Sequence, residues 1–576
     1  MRFLALMLLA ALSFAQENDV FRTLDSRQVK VGGEIGRRVD ITIHNNLLAL
    51  DASKDFLAPF EAKKQRSGYI GLGKLIMAAV RFAAYSGEPK LIAFKDDLIR
   101  RTLATQGEDG YIGYFAAPAR MTALWDVHEM GYIIAGLTLN YERFGDKRSL
   151  EAARKAADYV IAHWSAIPGD WGAKTGVETH VAVTGLERTM LALHRASGDA
   201  RYLAFARGPR ALEQWDLGIV IGRRAGIAGH IYAFMARALA QLDLFRLQPE
   251  PRLTAQADRA VEFLTSGEGM AVTGGAGQWE IWTDDQDGRG HLAETCATSY
   301  QLRVYESLLR LRGESRYGDL MERTLYNTLF AAQSPDGRRI RYYSPLEGPR
   351  EYHPGDSYCC PGNYRRIISE LPEMIYYQGR QGIAVNLYTA SEAALKVGGV
   401  EVRLRQETDY PNSGAVTLRV DPARPAKFAL QLRIPGWAEA AVIRVNGGTA
   451  RQEARGGTFA AIEREWKSGD TVRLELPMKI RLVRGRQQQA GRVAVLRGPL
   501  VYALDPSQTP ALAKLDAADV IRFTLDPASL EVVADAAVRP GGTAVRAGAW
   551  KPGYPTAPKH DLTLRLTEFA DPAAQA

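Results

Sequence analysis

All three cysteines of this 576-residue chain fall in two short motifs. "AETCATSY" (Ala293 to Tyr300) holds Glu294 and Cys296, and "SYCCPGN" (Ser357 to Asn363) holds Cys359 and Cys360. One carboxylate and three thiols are enough donors for a closed tetrahedral zinc site. Zinc keeps its thiolate ligands ionised at neutral pH, so such a set can also supply a nucleophile. Two other readings stand beside it. Cys296 could form a disulfide with Cys359 or Cys360, which leaves one thiol over and Glu294 without a role, or the thiols could be unrelated.

A reactive thiolate needs an acid nearby. "GGAGQWEIW" supplies Glu280, 14 residues before Glu294, after a Gly run read as flexible and between Trp279 and Trp282. Aromatic neighbours disfavour a charged carboxylate by desolvation, which suits a general acid. "WDVHEMG" puts Asp126, His128 and Glu129 at a helix start, and His230 starts another before "IYAFMARAL". Lone histidines there are mostly caps or satisfied core groups. "HEM" lacks the second His of a zincin motif, which excludes a metalloprotease. No G-x-S-x-G, phosphate-binding loop or dinucleotide fingerprint with the right flanks occurs.

These residues must be positioned by their elements. Glu294 and Cys296 would point about 200° apart on a helix, so the spacing predicts an extended turn before a helix starting near Thr298. Cys359 and Cys360 precede Pro361-Gly362, a second helix start. Through the first two thirds, amphipathic helices alternate with Gly-acidic turns: "YSGEPKL", "RFGDKRSL", "ASGDARYL" and "LRGESRYG". Their glycines, Gly87, Gly145, Gly198 and Gly313, are 58, 53 and 115 residues apart, the last being two periods. "RLQPEPRL" turns the hairpin in that gap. Two helices per period predict a helical repeat, and the long Gly-, Trp- and His-rich connections favour a closed toroid with its loops at one mouth. After Gly379 the pattern alternates with period two, as in "VEVRLRQET" and "FALQLRI", predicting a β-sandwich. The expected divisions are a leader at 1–15, a lead-in at 16–48 with a strand in "RRVDITIHNNLL", a barrel at 49–379, a β-sandwich at 380–486 and a second β region at 487–576.

The leader, MRFLALMLLAALSFA, has a charged start, a short apolar run and a small-x-small end, so a secreted or periplasmic protein is expected. A net charge of +8, with both signs interspersed, argues against nucleic-acid binding, and no later stretch reads as a membrane helix. The outer β strands are free to bind sugar, seal the barrel or make a homodimer.

The chain resembles the β-L-arabinofuranosidase family of zinc- and cysteine-dependent glycoside hydrolases. "TGGAGQWE", "AETCATSY", "MERTLYNTLFAAQSPDG", "YYSPLE" and "CCPGNYRR" carry the likeness, with "LRIPGWA" and "VAVLRGPLVYAL" in the β region. The resemblance implies an (α/α)6 barrel with β-sandwich domains and an oligo- or polysaccharide substrate. It implies zinc on Glu294, Cys296, Cys359 and Cys360, Cys359 as nucleophile, Glu280 as acid/base, and His128, His230 and Tyr326 lining the sugar pocket. The chain departs from the family in three places: Ser357 stands where members often carry a further Cys, a pocket His falls near Val183 with His180 close by, and Glu280 is nearer to Glu294. Rival readings are an inverting hydrolase using Glu280 with Asp126, a polysaccharide lyase on the same barrel, and a carbohydrate-binding protein with a structural zinc.

Overall fold

The Gly-acidic turns end one helix and begin the next. Gly145 and Gly198 adopt left-handed backbone, which costs glycine least. Asp146 and Asp199 then cap the following helices by accepting the N–H of Arg148 and Arg201. The computed structural model describes residues 18–570 apart from 66–67, 123, 165–182, 223–228, 267, 449–451, 507–508, 510–511, 513–521, 538 and 553–558. The expected leader and His180 lie outside the described residues.

Twelve described helices have eight residues or more: α1 Gly33–Ile41, α2 Leu72–Ser86, α3 Pro89–Ala104, α4 Leu124–Phe144, α5 Lys147–His163, α6 Leu186–Ser197, α7 Ala200–Arg207, α8 Ile231–Leu247, α9 Ala255–Thr265, α10 Thr295–Arg312, α11 Ser315–Thr324 and α12 Cys359–Glu370. Helices α2, α4, α6, α8, α10 and α12 form an inner ring, each packed on the next, and α12 closes on α2. Helix α8 is buried along nearly its whole surface, as an enclosed helix must be. The outer partner of α12 is α1, so the sixth hairpin of this (α/α)6 barrel joins the two ends of the domain. No described helix is long and apolar enough to cross a membrane.

The strand expected in "RRVDITIHNNLL" is helical instead. Ile35, Val39, Ile43 and Leu47 recur every four residues and are all buried, so the helical period overrides the local alternation around Ile41. The lead-in strands lie earlier and join the edges of two sheets. Phe21–Thr23 pairs with Tyr376–Gly379 in a five-stranded sheet that also holds Gly382–Val385, Ala426–Ile434 and Thr458–Trp466. Val29–Val31 pairs with Ser391–Val397 at the edge of a seven-stranded sheet. Within it, Val400–Glu407 alternates strictly between buried and exposed residues. The division expected at 486 falls earlier, because Ile480–Arg484 pairs with Val493–Arg497 in a third sheet.

Buried polar contacts tie the barrel to the strands. Arg433, on Ala426–Ile434, is fully enclosed; its guanidinium meets Glu322 of α11 at 2.8 Å, and its Nε donates to the Asn386 carbonyl at 2.7 Å. Glu322 also accepts from the Tyr410 hydroxyl at 2.6 Å and from Trp437 Nε1 at 3.1 Å. Tyr326, expected in the sugar pocket, belongs to this junction instead. Its hydroxyl donates to the Tyr388 carbonyl at 3.3 Å, and its ring packs on Phe330 and Tyr410. Removing one member of a buried charge pair typically costs about 3–5 kcal/mol. Arg433→Ala is therefore expected to lower the unfolding free energy by that order in urea titration; a change under about 1 kcal/mol would contradict the role given to the pair.

Candidate active site

Two helix N-termini converge on the thiols. Glu294 is the extended residue before α10, and Cys296 lies in that helix's first turn. The helix therefore starts three residues before Thr298, and the 200° problem vanishes because Glu294 is outside it. Cys359 and Cys360 are the first two residues of α12. One oxygen of Glu294 and the three sulfurs all lie within 4.8 Å of one another. Cys360 Sγ is 3.4 Å from Cys296 Sγ, 4.0 Å from Cys359 Sγ and 3.6 Å from Glu294 Oε1. These sulfurs are free thiols, not a disulfide.

The donor set fits a metal ion. Sulfurs about 2.3 Å from a tetrahedral ion are ~3.8 Å apart, and the two sulfur separations bracket that edge. Glu294 Oε2 is buried with no hydrogen-bond partner, an expensive state unless something binds there. The positive ends of both helix dipoles face the cluster and favour negative charge on it. Burial pushes the thiols of Cys296 and Cys360 and the carboxyl of Glu294 well up. Cys359 goes the other way, because hydrogen bonds from the Cys296 and Cys360 thiols hold its thiolate well below the usual thiol range. It is also the only one of the three that is partly exposed.

Glu280 reaches the cluster through a tyrosine. Tyr342 donates a short hydrogen bond to Glu280 Oε1, and its hydroxyl lies 3.8 Å from Cys359 Sγ. Tyr342 is held there because its segment runs along the start of α10: the Tyr342 carbonyl accepts from Thr295 N at 2.9 Å, and the Arg341 carbonyl accepts from the Thr295 hydroxyl at 2.7 Å. The sequence offered one trace of it, the Tyr-Tyr of "YYSPLE". His230 Nε2 is 3.4 Å from Glu280 Oε2. His230 also caps α8, its Nδ1 accepting from Ala233 N at 3.3 Å, so a ring proton sits on Nε2, the nitrogen beside the carboxylate. The cap and the site contact coexist.

Glu280 occupies the tip of a tight hairpin. Gln278 and Ile281 exchange both backbone hydrogen bonds at 3.0 Å, leaving Trp279 and Glu280 as its two turn residues. Both have positive φ, 54° and 71°, the form that normally calls for Asn-Gly. The preceding glycines give closeness rather than flexibility: a Cβ on Gly277 would lie 2.1 Å from Ile231 Cδ1. Trp279 stacks on His291, and Trp282 is buried against Phe234 and Phe263.

His128 lies in an aromatic wall with Tyr69, Trp125 and Tyr132, and Tyr69 continues to Tyr358, next to Cys359. Lys74 is fully buried below; its Nζ donates to the Tyr232 hydroxyl at 3.1 Å and lies over the rings of Tyr132, Tyr232 and Tyr69. Sequence reading missed Tyr69 and Lys74 because neither falls in a recognisable motif. Ser357 holds a loop instead of supplying a thiol, donating to the Ile70 carbonyl at 2.9 Å. Val183 is buried.

Asp126 is committed to its own neighbours. It is fully enclosed, accepts from the Tyr111 hydroxyl at 2.6 Å and from Met121 N at 3.1 Å, and burial raises its pKa to about 6. Glu129 accepts the N–H groups of Ile70, Gly71 and Leu72 and so caps α2. The contrast among the thiols can be read chemically. Metal-free protein treated briefly with iodoacetamide at neutral pH is expected to carry one label, on Cys359, by peptide mass spectrometry. Equal labelling of Cys296 would contradict this arrangement.

Comparison with known proteins agrees with the geometry. A family model described as the β-L-arabinofuranosidase GH127 catalytic domain matches residues 39–373, and the GH127 middle domain matches 382–478. Over 507 residues the chain is 25% identical to a non-reducing end β-L-arabinofuranosidase of Bifidobacterium longum subsp. longum, covering 76% of this chain and 75% of that one. A solved GH127 β-arabinofuranosidase shares the fold at TM-score 0.81, 23% identity and 96% coverage of both chains. A GH127 β-L-arabinofuranosidase from Geobacillus stearothermophilus T6 does so at TM-score 0.78 and 22% identity, covering 95% of this chain and 98% of that one. With the catalytic-domain match spanning more than half its length, the chain belongs to the GH127 β-L-arabinofuranosidase family of glycoside hydrolases.

Proposed function

We propose that the protein is an exported retaining glycosidase that removes β-L-arabinofuranosyl units, with Cys359 as nucleophile and Glu280 as acid/base. The observation that carries this reading is the Tyr342 hydroxyl, 3.8 Å from Cys359 Sγ and hydrogen-bonded to Glu280. One oxygen atom spans the two groups. That leaves less room than the roughly 6.5–9.5 Å an inverting pair needs for its water. The family's name supports the sugar, and the apolar first fifteen residues support export.

Cys359 sulfur attacks the anomeric carbon while Glu280 gives its proton to the departing glycosidic oxygen. A carbon–sulfur bond forms and the carbon–oxygen bond breaks, leaving a thioglycosyl group on the protein. Glu280, now a carboxylate, takes a proton from water; the water oxygen attacks the same carbon, the carbon–sulfur bond breaks and Cys359 returns to thiolate. Two displacements retain the anomeric configuration. Tyr342 and His230 hold Glu280 against the reacting oxygen. Glu294, Cys296, Cys359 and Cys360 would hold zinc, which when bound keeps sulfur ionised and makes it a better leaving group.

Cys359→Ser is expected to abolish turnover of a p-nitrophenyl β-L-arabinofuranoside, and wild-type rates in that variant would end the nucleophile assignment. General acid catalysis is typically worth ~10²- to 10⁴-fold. Glu280→Gln should therefore slow an alkyl arabinofuranoside far more than the aryl one, whose leaving group needs little help; equal losses would count against the acid role. Purified protein should carry close to one zinc per chain by atomic emission. Glu294→Gln and Cys360→Ser should lose it at lower chelator concentration than wild type, and unchanged retention would remove them from the ligand set.

A further inference from the structure

The family-model matches end at residue 478, before the third β region begins. That region contributes no residue to the thiol cluster, yet one of its loops touches the segments that carry the acid. Its first two strands, Ile480–Arg484 and Val493–Arg497, form a hairpin with a loop at 485–492. The loop lands on the stretch that follows Glu280. Gln488 N donates to the Asp285 carbonyl at 3.0 Å, and Gln489 Nε2 donates to the Gln286 carbonyl at 3.2 Å. Arg492 closes the contact: its Nη1 pairs with Glu347 Oε1 and donates to Gln489 Oε1 at 2.9 Å. The other oxygen of Glu347 accepts from Arg289 Nε at 3.1 Å. An exposed ion pair contributes little by itself, but here one carboxylate, 18% exposed, joins Arg289 of the clamped stretch to Arg492 of the loop.

The clamped stretch carries both the acid and its tyrosine. On one side it backs the turn of Glu280. Gln278 Nε2 donates to the Arg289 carbonyl at 2.8 Å, Trp279 N to the His291 carbonyl at 3.0 Å, and Ala293 N to the Gly277 carbonyl at 3.0 Å. On the other side it holds the chain that leaves Tyr342. Ser344 N donates to the Leu292 carbonyl at 3.0 Å, and Leu346 N and Glu347 N both donate to the Gly288 carbonyl, at 2.7 and 2.9 Å. The two residues of the Glu280 turn are both left-handed, a form that persists only where the surroundings impose it. We infer that loop 485–492 is a positioning element of the active site. Arg492, through Glu347 and Arg289, holds the Glu280 turn and the Tyr342 segment in the register that acid catalysis requires. The inference rests on Glu280 being the general acid, and it makes the third β region part of the catalytic unit.

Arg492→Met tests this, because it keeps most of the apolar stem and removes the charge; Arg492→Lys restores the charge. Arg546→Met breaks an exposed pair with Glu531 in the same β region and controls for general loosening. The probes are methyl β-L-arabinofuranoside, whose leaving group needs the acid, and the p-nitrophenyl glycoside, whose leaving group needs it little. A misplacement of about 1 Å can cost on the order of 10²-fold. In Arg492→Met, kcat on the methyl glycoside is expected to fall roughly tenfold to hundredfold, with a smaller loss on the aryl glycoside. It should recover in Arg492→Lys and stay put in Arg546→Met, with zinc content and Cys359 labelling as in wild type. Backbone hydrogen exchange, followed by mass spectrometry, should rise over 278–293 and 342–347 in Arg492→Met and not in Arg546→Met. Unchanged exchange there would overturn the assignment, as would equal losses on both substrates while Glu280→Gln discriminates between them. Equal losses in Glu280→Gln itself would sink the acid reading, and the exchange result would then decide the clamp alone.

Discussion

The structure depends on bringing three sulfurs and one carboxylate together at the starts of two neighbouring inner helices. Thiols and a carboxylate buried this way are costly: their charged forms are desolvated, and Glu294 Oε2 is left without a hydrogen bond. Two features offset that cost. The positive ends of α10 and α12 face the cluster, and the donors are spaced to share a cation. The barrel supplies the convergence. Adjacent inner helices start at the same mouth, so residues 64 positions apart in sequence become neighbours in space.

Beside this cluster Glu280 is held by contacts beyond its own loop. Glu280 sits on a strained turn, yet its carboxylate lies between the Tyr342 hydroxyl, which donates to it, and His230 Nε2. Tyr342 is fixed through its backbone by the first turn of α10, the helix that carries Cys296. Glu280, through Tyr342, and Cys296 therefore share the frame of α10.

The β domains buttress the barrel, and Gln489 of the third β region donates to the Gln286 carbonyl in the loop after Glu280. The lead-in strands join both sheets of the sandwich, and α1 then completes the sixth hairpin, so the beginning of the chain closes sandwich and barrel alike. Arg433 and Glu322 fix the sandwich to α11, and Asn327, in the next segment, accepts from Val501 N in the third sheet. Tyr326 lies among these contacts, which is why its motif looks informative although it touches no reacting group.

The sequence by itself determined the repeat, the change to β structure after Gly379 and the identity of the four donors. Those follow from local rules: helical and strand periodicity, Gly-acidic caps, and a thiol composition with few uses. It also pointed to Glu280 and His230 by their place beside turns and helix starts. It could not find Tyr342, Tyr69 or Lys74, nor tell that Asp126 was committed to Tyr111 and Met121, because ordinary residues acquire roles only from what they meet across the barrel. It misread Tyr326 and the helix over 37–48 for the same reason. Periodicity and motif report which face a residue presents, whereas its partner is set by helix packing and ring closure, and only the tertiary structure decided those.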